Sequence, residues 1–192
     1  MASHLDNAQS DNYFAKAKSL AADVINNSGL SLWPNYATLF DIEANNNPES
    51  LIAIQCIVGG YGYGNAHNCN WSRTSCADQA WGDGKGPTVN LQKQYDPADK
   101  RRQWVYMSDG DFYPNINKAD GGYTYHIAVV DEQGNELESA NEMLAHCKKY
   151  CIGRAADCDG GVGDAQDAAN NIYLLRLADV YLVYVEACIG SG

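Results

Sequence analysis

The chain has 192 residues, 45% of them apolar and 19% charged, enough for one domain with a real core or two small ones. Lys and Arg total 13 against 24 Asp and Glu, a net charge of −11 that argues against nucleic-acid backbones and anionic membrane surfaces as partners. Thirteen Tyr and four Trp stand beside only three Phe, a bias toward rings with a polar edge, which suit surfaces that hold something half wet.

The opening "MASHLDNAQSD" has neither a basic start nor an apolar run and no lipid-attachment motif. The expectation is a cytosolic chain or one whose native beginning is missing. In "DNYFAKAKSLAADVINNSG", Tyr13, Ala17, Leu20 and Val24, with Phe14, Ala21 and Ile25 beside them, recur at helical spacing. Asp11 is expected to cap this helix and Gly29 to end it in the left-handed region. "LSLWPNYATLFD" predicts a turn at Pro34 and a short helix through Phe40. In "EANNNPES", Asn47 and Pro48 are placed to open another element. "LIAIQCIV" is compatible with a buried strand or a short helix, which periodicity alone does not separate.

From Gly59 to about Lys93 the character changes to "GGYGYGNAHNCNWSRTSCADQAWGDGKGPT", rich in Gly, Asn, Trp and Tyr. A loop this long in a compact domain is uncommon and usually functional. A dinucleotide reading of "GGYGYG" fails, because Asn65 and His67 stand where glycine is required. A sugar ring offers an apolar C–H face and an edge of hydroxyls, so binding it takes a flat aromatic platform and short polar side chains. The loop supplies both. Trp71 and Trp81 are the candidates to stack on sugar faces, with Tyr61 and Tyr63 flanking and Asn65 and Arg73 bonding hydroxyls. The competing role for either tryptophan is to anchor the loop to the core.

Farther along, "YDPADKRRQWVYMSDGDFYP" predicts a turn, a strand from Trp104 to Met107 and another turn. "GYTYHIAVVDEQGNELE" predicts a strand ending in a turn at Gln133–Gly134, and "SANEMLAHCKKY" a short helix. "GRAADCDGGVGDAQD" reads as an acidic loop. Its Asp157 and Asp159 have EF-hand spacing, but Gly161 and Ala168 at the fifth and twelfth positions exclude that motif. A looser calcium site that includes Asp164 is the secondary reading. No cofactor is otherwise expected. Seven cysteines (Cys56, Cys69, Cys76, Cys147, Cys151, Cys158, Cys188) cannot form a complete disulfide set within one chain. Cys56 and Cys188 read as core residues; Cys69–Cys76 and a pair among Cys147, Cys151 and Cys158 are candidate bridges in an oxidising compartment. With His67 and His146 they match no compact zinc pattern, and there is no GxSxG or HExxH, so no metal ligand or catalytic residue is assigned.

The last long segment is "NNIYLLRLADVYLVYVEA". As one helix it places Asp179 about 60° from Arg176 and Glu186 about 20° beyond, so three charges share one stripe. Three charges in lipid would cost about 2.5 kcal/mol or more each. A packed helix, capped by Asn170 or Asn171 and ended by Gly190, is predicted instead.

Several segments together resemble the SusD/RagB family, surface-exposed glycan-binding lipoproteins of Bacteroidota. They are "YFAKAKSLAADVINNSGLSLWPNYATLF", "NPESLIAIQ", "GPTVNLQKQYDPADKRR" and, most specifically, "NNIYLLRLADVYLVYVEA". The resemblance implies a mainly α fold with long loops and minor β structure on a tetratricopeptide-type scaffold. It makes Arg176, Asp179 and Glu186 structural contacts inside helix packing. Family members are much longer, so the chain resembles an incomplete middle region: a scaffold portion over 1–58, a loop-rich binding portion over 59–169 and a scaffold helix over 170–192. It further implies non-catalytic glycan binding at the outer membrane and delivery to a SusC-like TonB-dependent transporter, with membrane association only through a lipid anchor. The family's sugar contacts lie in variable loops and carry no residue over. The alternatives are a glycan-degrading hydrolase and a module that docks on the transporter without a sugar site of its own.

Overall fold

The computed structural model describes residues 7–60, 62–72, 75–78, 80, 86–126, 145–163 and 166–190. Among them are helical segments and six short strands: β1 (Ser50–Ile54), β2 (Tyr106–Met107), β3 (Phe112–Tyr113), β4 (Tyr123–Thr124), β5 (His146–Cys147) and β6 (Ile172–Arg176). The chain divides into two compact units, one of Met1–Pro34, Asn46–Ile54 and Tyr173–Gly192, the other of Asn35–Asn45 and Gln55–Ile172.

In the first unit a helix spans Ser10–Asn27 and a second spans Leu177–Gly190. Ala21, Val24 and Ile25 pack on Leu177, Val180 and Tyr184. Tyr13 and Leu20, although in phase with the periodic set, face outward. Gly29 ends the first helix at φ +73°, the left-handed stop that glycine accepts without cost. Asp11 is not the cap: Gln9 holds that position and Asp11 sits in the first turn, where its charge complements the helix dipole. A Cβ on Gly190 would lie 2.5 Å from the Phe14 ring. The missing side chain is what lets the two helices meet there.

Of "LIAIQCIV" only residues 51–54 are strand, and not the buried strand expected, since Ile52 and Ile54 are exposed. They belong to β1, which pairs with β6. This corrects the single-helix reading of the last apolar segment. Residues 172–176 are strand, because Ile and Tyr suit a pleated surface and β1 supplies the hydrogen-bonding edge. The helix therefore begins only at Leu177, and Asn170 and Asn171 do not cap it. Its first turn is closed by Asp179, whose carboxylate accepts the Arg176 N–H at 2.9 Å, half of a capping box. The Arg176 guanidinium donates to buried Glu49 at 2.8 Å. Glu49 also accepts the Trp33 N–H at 2.8 Å and, through its own carbonyl, the Leu177 N–H at 2.8 Å. One residue, by its carboxylate and its backbone carbonyl, thus ties a loop, a strand end and a helix start together. Glu186 is exposed. No helix among the described residues is long and apolar enough to cross a membrane.

The second unit is built from short pieces. Its helical turns include Tyr36–Thr38, capped by the Asn35 side chain, His67–Asn70, Val89–Gln94, capped by Thr88, and Arg102–Val105. β2 runs antiparallel to β5, and β3 antiparallel to β4. The strand expected over Trp104–Met107 is confined to its last two residues, because Trp104 and Val105 belong to a helical turn. The helix expected over "SANEMLAHCKKY" does not extend into residues 145–150, where the β2 edge recruits His146 and Cys147 as a strand. Residues 127–144, including the turn expected at Gln133–Gly134, lie outside the described ones. One core gathers Cys76, Met107, Tyr113, Ile116, Tyr125 and Cys151 with Trp104 against it, and another gathers Ile152, Val162 and Ala168 with Ile42 and Cys158. Residues 35–45 pack in this unit rather than with the amino-terminal helix.

Buried loops must satisfy their backbone groups without ladders, and here asparagines do so. Asn68, fully buried, donates to the Gly153 carbonyl and accepts the Ile152 N–H, both at 2.9 Å. Asn45 donates to the Ala169 carbonyl and accepts the Asn171 N–H, and Asn171 accepts the Cys56 N–H. A side-chain amide copies a peptide group, so each clamp joins segments as a strand pair would.

Candidate functional site

A run of aromatic rings crosses the second unit. Tyr36 meets Phe40 edge-on with ring centroids 5.8 Å apart, Phe40 meets Tyr150 at 5.0 Å, and Tyr150 tilts toward His67 at 5.6 Å. His67 stacks on Trp71 at 3.9 Å with only 16° between the ring planes. Local structure explains that stack. Asn65 accepts the His67 N–H at 2.9 Å and starts the turn His67–Asn70, and the i, i+4 spacing then sets both rings on one side. Trp71 also meets Tyr150 edge-on at 6.2 Å and stays half-buried. Tyr150 holds φ +67°, a left-handed conformation costing a bulky residue about 1–3 kcal/mol, a strain that recurs at functional sites. Its carbonyl and that of Phe40 both accept from the fully buried Asn170 amide, at 3.3 and 2.8 Å. Lys149 places its ammonium 4.6 Å from the Phe40 ring centre.

The loop before this run carries Tyr63, 63% exposed. Asp167 anchors that loop by accepting the Gly59 and Gly60 N–H groups at 2.7 and 2.9 Å on one carboxylate oxygen. A Cβ on Gly64 would fall 2.3 Å from that of Asp167. Gly59 and Gly60 thus hold a protein carboxylate, and Gly64 gives close backbone approach.

Of the six residues proposed from the sequence, Trp71 and Tyr63 occupy accessible positions in this unit. Tyr61, Arg73 and Trp81 lie outside the described residues. Asn65 is corrected. It is wholly buried, its amide donating to the Asn170 carbonyl at 3.0 Å while its oxygen serves His67, so no sugar hydroxyl reaches it. His67, Phe40, Tyr36 and Tyr150 were missed. The His67–Trp71 spacing was a usable signal; Tyr150 lies 79 residues beyond Trp71 and gave none.

The acidic loop is organised by Asp157. Its carboxylate accepts the N–H groups of Asn117, Lys118 and Arg154 at 3.0, 2.8 and 2.9 Å. Burial raises the pKa of this carboxyl, but the three donors with the Lys118 charge outweigh it and hold the value below the ordinary aspartate range. Beside it opens a cleft of about 560 Å³ lined by Thr38, Asp41, Glu43, Lys118 and Asp159 among others, with no aromatic ring. That lining offers hydrogen bonds but no stacking face.

The SusD family profile matches residues 3–192. The chain belongs to the SusD family. It is 34% identical over 185 residues to a SusD-like protein of Bacteroides ovatus, covering 92% of this chain and 30% of that one. A crystal structure solved with xylogluco-oligosaccharide superposes with a TM-score of 0.77 at 33% identity, over 95% of this chain and 35% of the other. Surface glycan-binding protein A of Bacteroides thetaiotaomicron, solved in complex with laminarihexaose, shares the fold at TM-score 0.62 and 15% identity, over 96% of this chain and 41% of its own. The chain thus spans about a third of the length of its first relatives. The SusD-like fold, mostly helical with minor strands, is the one the resemblance implied.

Proposed function

We propose that this chain contributes to non-catalytic binding of an oligo- or polysaccharide at the outer surface of the cell and to its delivery to a TonB-dependent outer-membrane transporter. The observation that carries the reading is the half-buried Trp71, stacked on His67 and braced by Tyr150, in a loop-rich unit that also exposes Tyr63. An indole fixed on one side presents its remaining surface to a pyranose at little entropic cost. Tyr61, Arg73 and Trp81 are proposed to join the same surface. The relative solved with xylogluco-oligosaccharide supports a β-glucan ligand.

The test is calorimetric titration of the chain, and of the whole protein, with xylogluco-oligosaccharide, laminarihexaose and an α-glucan control. Saturable binding of one β-glucan, weakened at least about ten-fold by Trp71→Ala with the fold retained, is expected. Unchanged affinity in Trp71→Ala would remove this platform from the site. Reducing sugar released during the titration would replace binding with hydrolysis.

A further inference from the structure

The second unit brings together two cysteines that sequence spacing would not pair. The sulfurs of Cys76 and Cys151 stand 4.0 Å apart across a separation of 75 residues, both in the core with Met107, Tyr113 and Tyr125. Their exposures are 1% and 0%. We propose that Cys76 and Cys151 form a disulfide that fastens the Trp71 segment to the Tyr150 segment. Moving from 4.0 Å to bonding distance takes a shift of about 1 Å by each sulfur, within reach of small side-chain rotations. The pairs suggested by the sequence, Cys69 with Cys76 and one among Cys147, Cys151 and Cys158, give way to this contact.

The surroundings set Cys151 apart from the other cysteines. The neighbouring Cys76 sulfur and then the Lys148 ammonium, working against burial, hold the Cys151 thiol at about 7. Burial drives Cys69 up to about 11 and Cys158 up to about 12, and raises Cys56 and Cys147 as well. Lys148 is itself fixed there, donating to the Cys151 carbonyl at 2.7 Å with its ammonium 5.5 Å from the Trp104 ring centre and 5.6 Å from that of Tyr113. The oxidant is a low-molecular-weight disulfide of the glutathione class. While the chain folds, before the core closes over both cysteines, the Cys151 thiolate attacks one sulfur of this oxidant and expels one thiolate, giving a mixed disulfide. Cys76, losing its proton, attacks the Cys151 sulfur and expels the second. Two cysteine S–H bonds are lost, one S–S bond forms, and two electrons and two protons end on the two thiols released.

The bond sits where the aromatic run needs it. Tyr150 precedes Cys151 directly, and Trp71 lies five residues before Cys76, so the link closes beside the two rings that meet at 6.2 Å. It does not depend on glycan binding, and its test reads no sugar.

The chain is folded in oxidised glutathione, its remaining thiols are alkylated on unfolding, and unreduced peptides are mapped by mass spectrometry. One bond, Cys76–Cys151, with five alkylated cysteines is expected. Dithiothreitol should lower the melting temperature by about 5–15 °C. Cys76→Ser should abolish that difference, while Cys69→Ser should keep both the bond and the shift. Alkylation of both Cys76 and Cys151 in the oxidised folded chain overturns the proposal, as does a dominant bond between Cys151 and Cys69 or Cys158.

Discussion

The Glu49–Arg176 pair offers the sharpest test of how the first unit holds together. Glu49 has a side chain 5% exposed and Arg176 one 15% exposed, with Nη1 to Oε1 at 2.8 Å. Glu49→Ala takes the carboxylate from a nearly buried guanidinium and the acceptor from the Trp33 N–H. Removing one partner of a buried ion pair costs about 3–5 kcal/mol, and losing a buried acceptor adds about 1–3 kcal/mol. Arg176 keeps Asp179 at 3.9 Å, a carboxylate 41% exposed and hence weakly attractive. The expected loss is therefore about 4–7 kcal/mol. Arg176→Met keeps the packed stem and should cost about 2–3 kcal/mol. The double variant should fall short of the sum by about 1.5–3 kcal/mol, because the second change removes the charge that the first left without its carboxylate. Urea unfolding followed by circular dichroism measures all three. Single losses under about 1 kcal/mol that add would put the pair in the class of surface salt bridges and refute the idea that this seam joins strand to helix.

Asp157→Asn sets an amide N–H₂ against a backbone N–H where the carboxylate now takes three donors, and should destabilise the chain by about 2–4 kcal/mol in the same urea assay. Because the Asp157 pKa falls on folding, its contribution is complete above the ordinary value of 3.8 and disappears as pH drops through the lower folded-state value. The stability gap to Asp157→Asn should therefore close below about pH 4; a constant gap would deny the linkage. Gly64→Ala drives a methyl into the backbone of Asp167 and Ala168 and should cost about 1–3 kcal/mol or more. Gly59→Ala, with open space at its Cβ, should stay within about 0.5 kcal/mol in thermal melts. Asn170→Ala withdraws the amide that holds the Phe40 and Tyr150 carbonyls, and should weaken glycan binding in calorimetry by loosening Tyr150 rather than by touching sugar. Retained affinity would free the aromatic run from that clamp.

What the sequence disclosed about this molecule divides by the range of the physics involved. The helix Ser10–Asn27 and its Gly29 stop were legible because period and terminus are set by neighbours within a few residues. The start of the closing helix was not, since β6 exists only where β1, more than 100 residues earlier, offers an edge. The same limit explains the site. Trp71 and Tyr63 were singled out because a half-wet aromatic is conspicuous by type, and the structure leaves both accessible. Asn65 was misassigned because an amide that binds a hydroxyl and an amide that clamps a backbone are the same side chain. What separates them is the partner, here the carbonyl of Asn170, 105 residues away. A long loop that must bury peptide groups without ladders needs many such amides, so an asparagine-rich aromatic loop carries two signals at once. The rings mark the proposed ligand surface. The asparagines report what holds the rings in place.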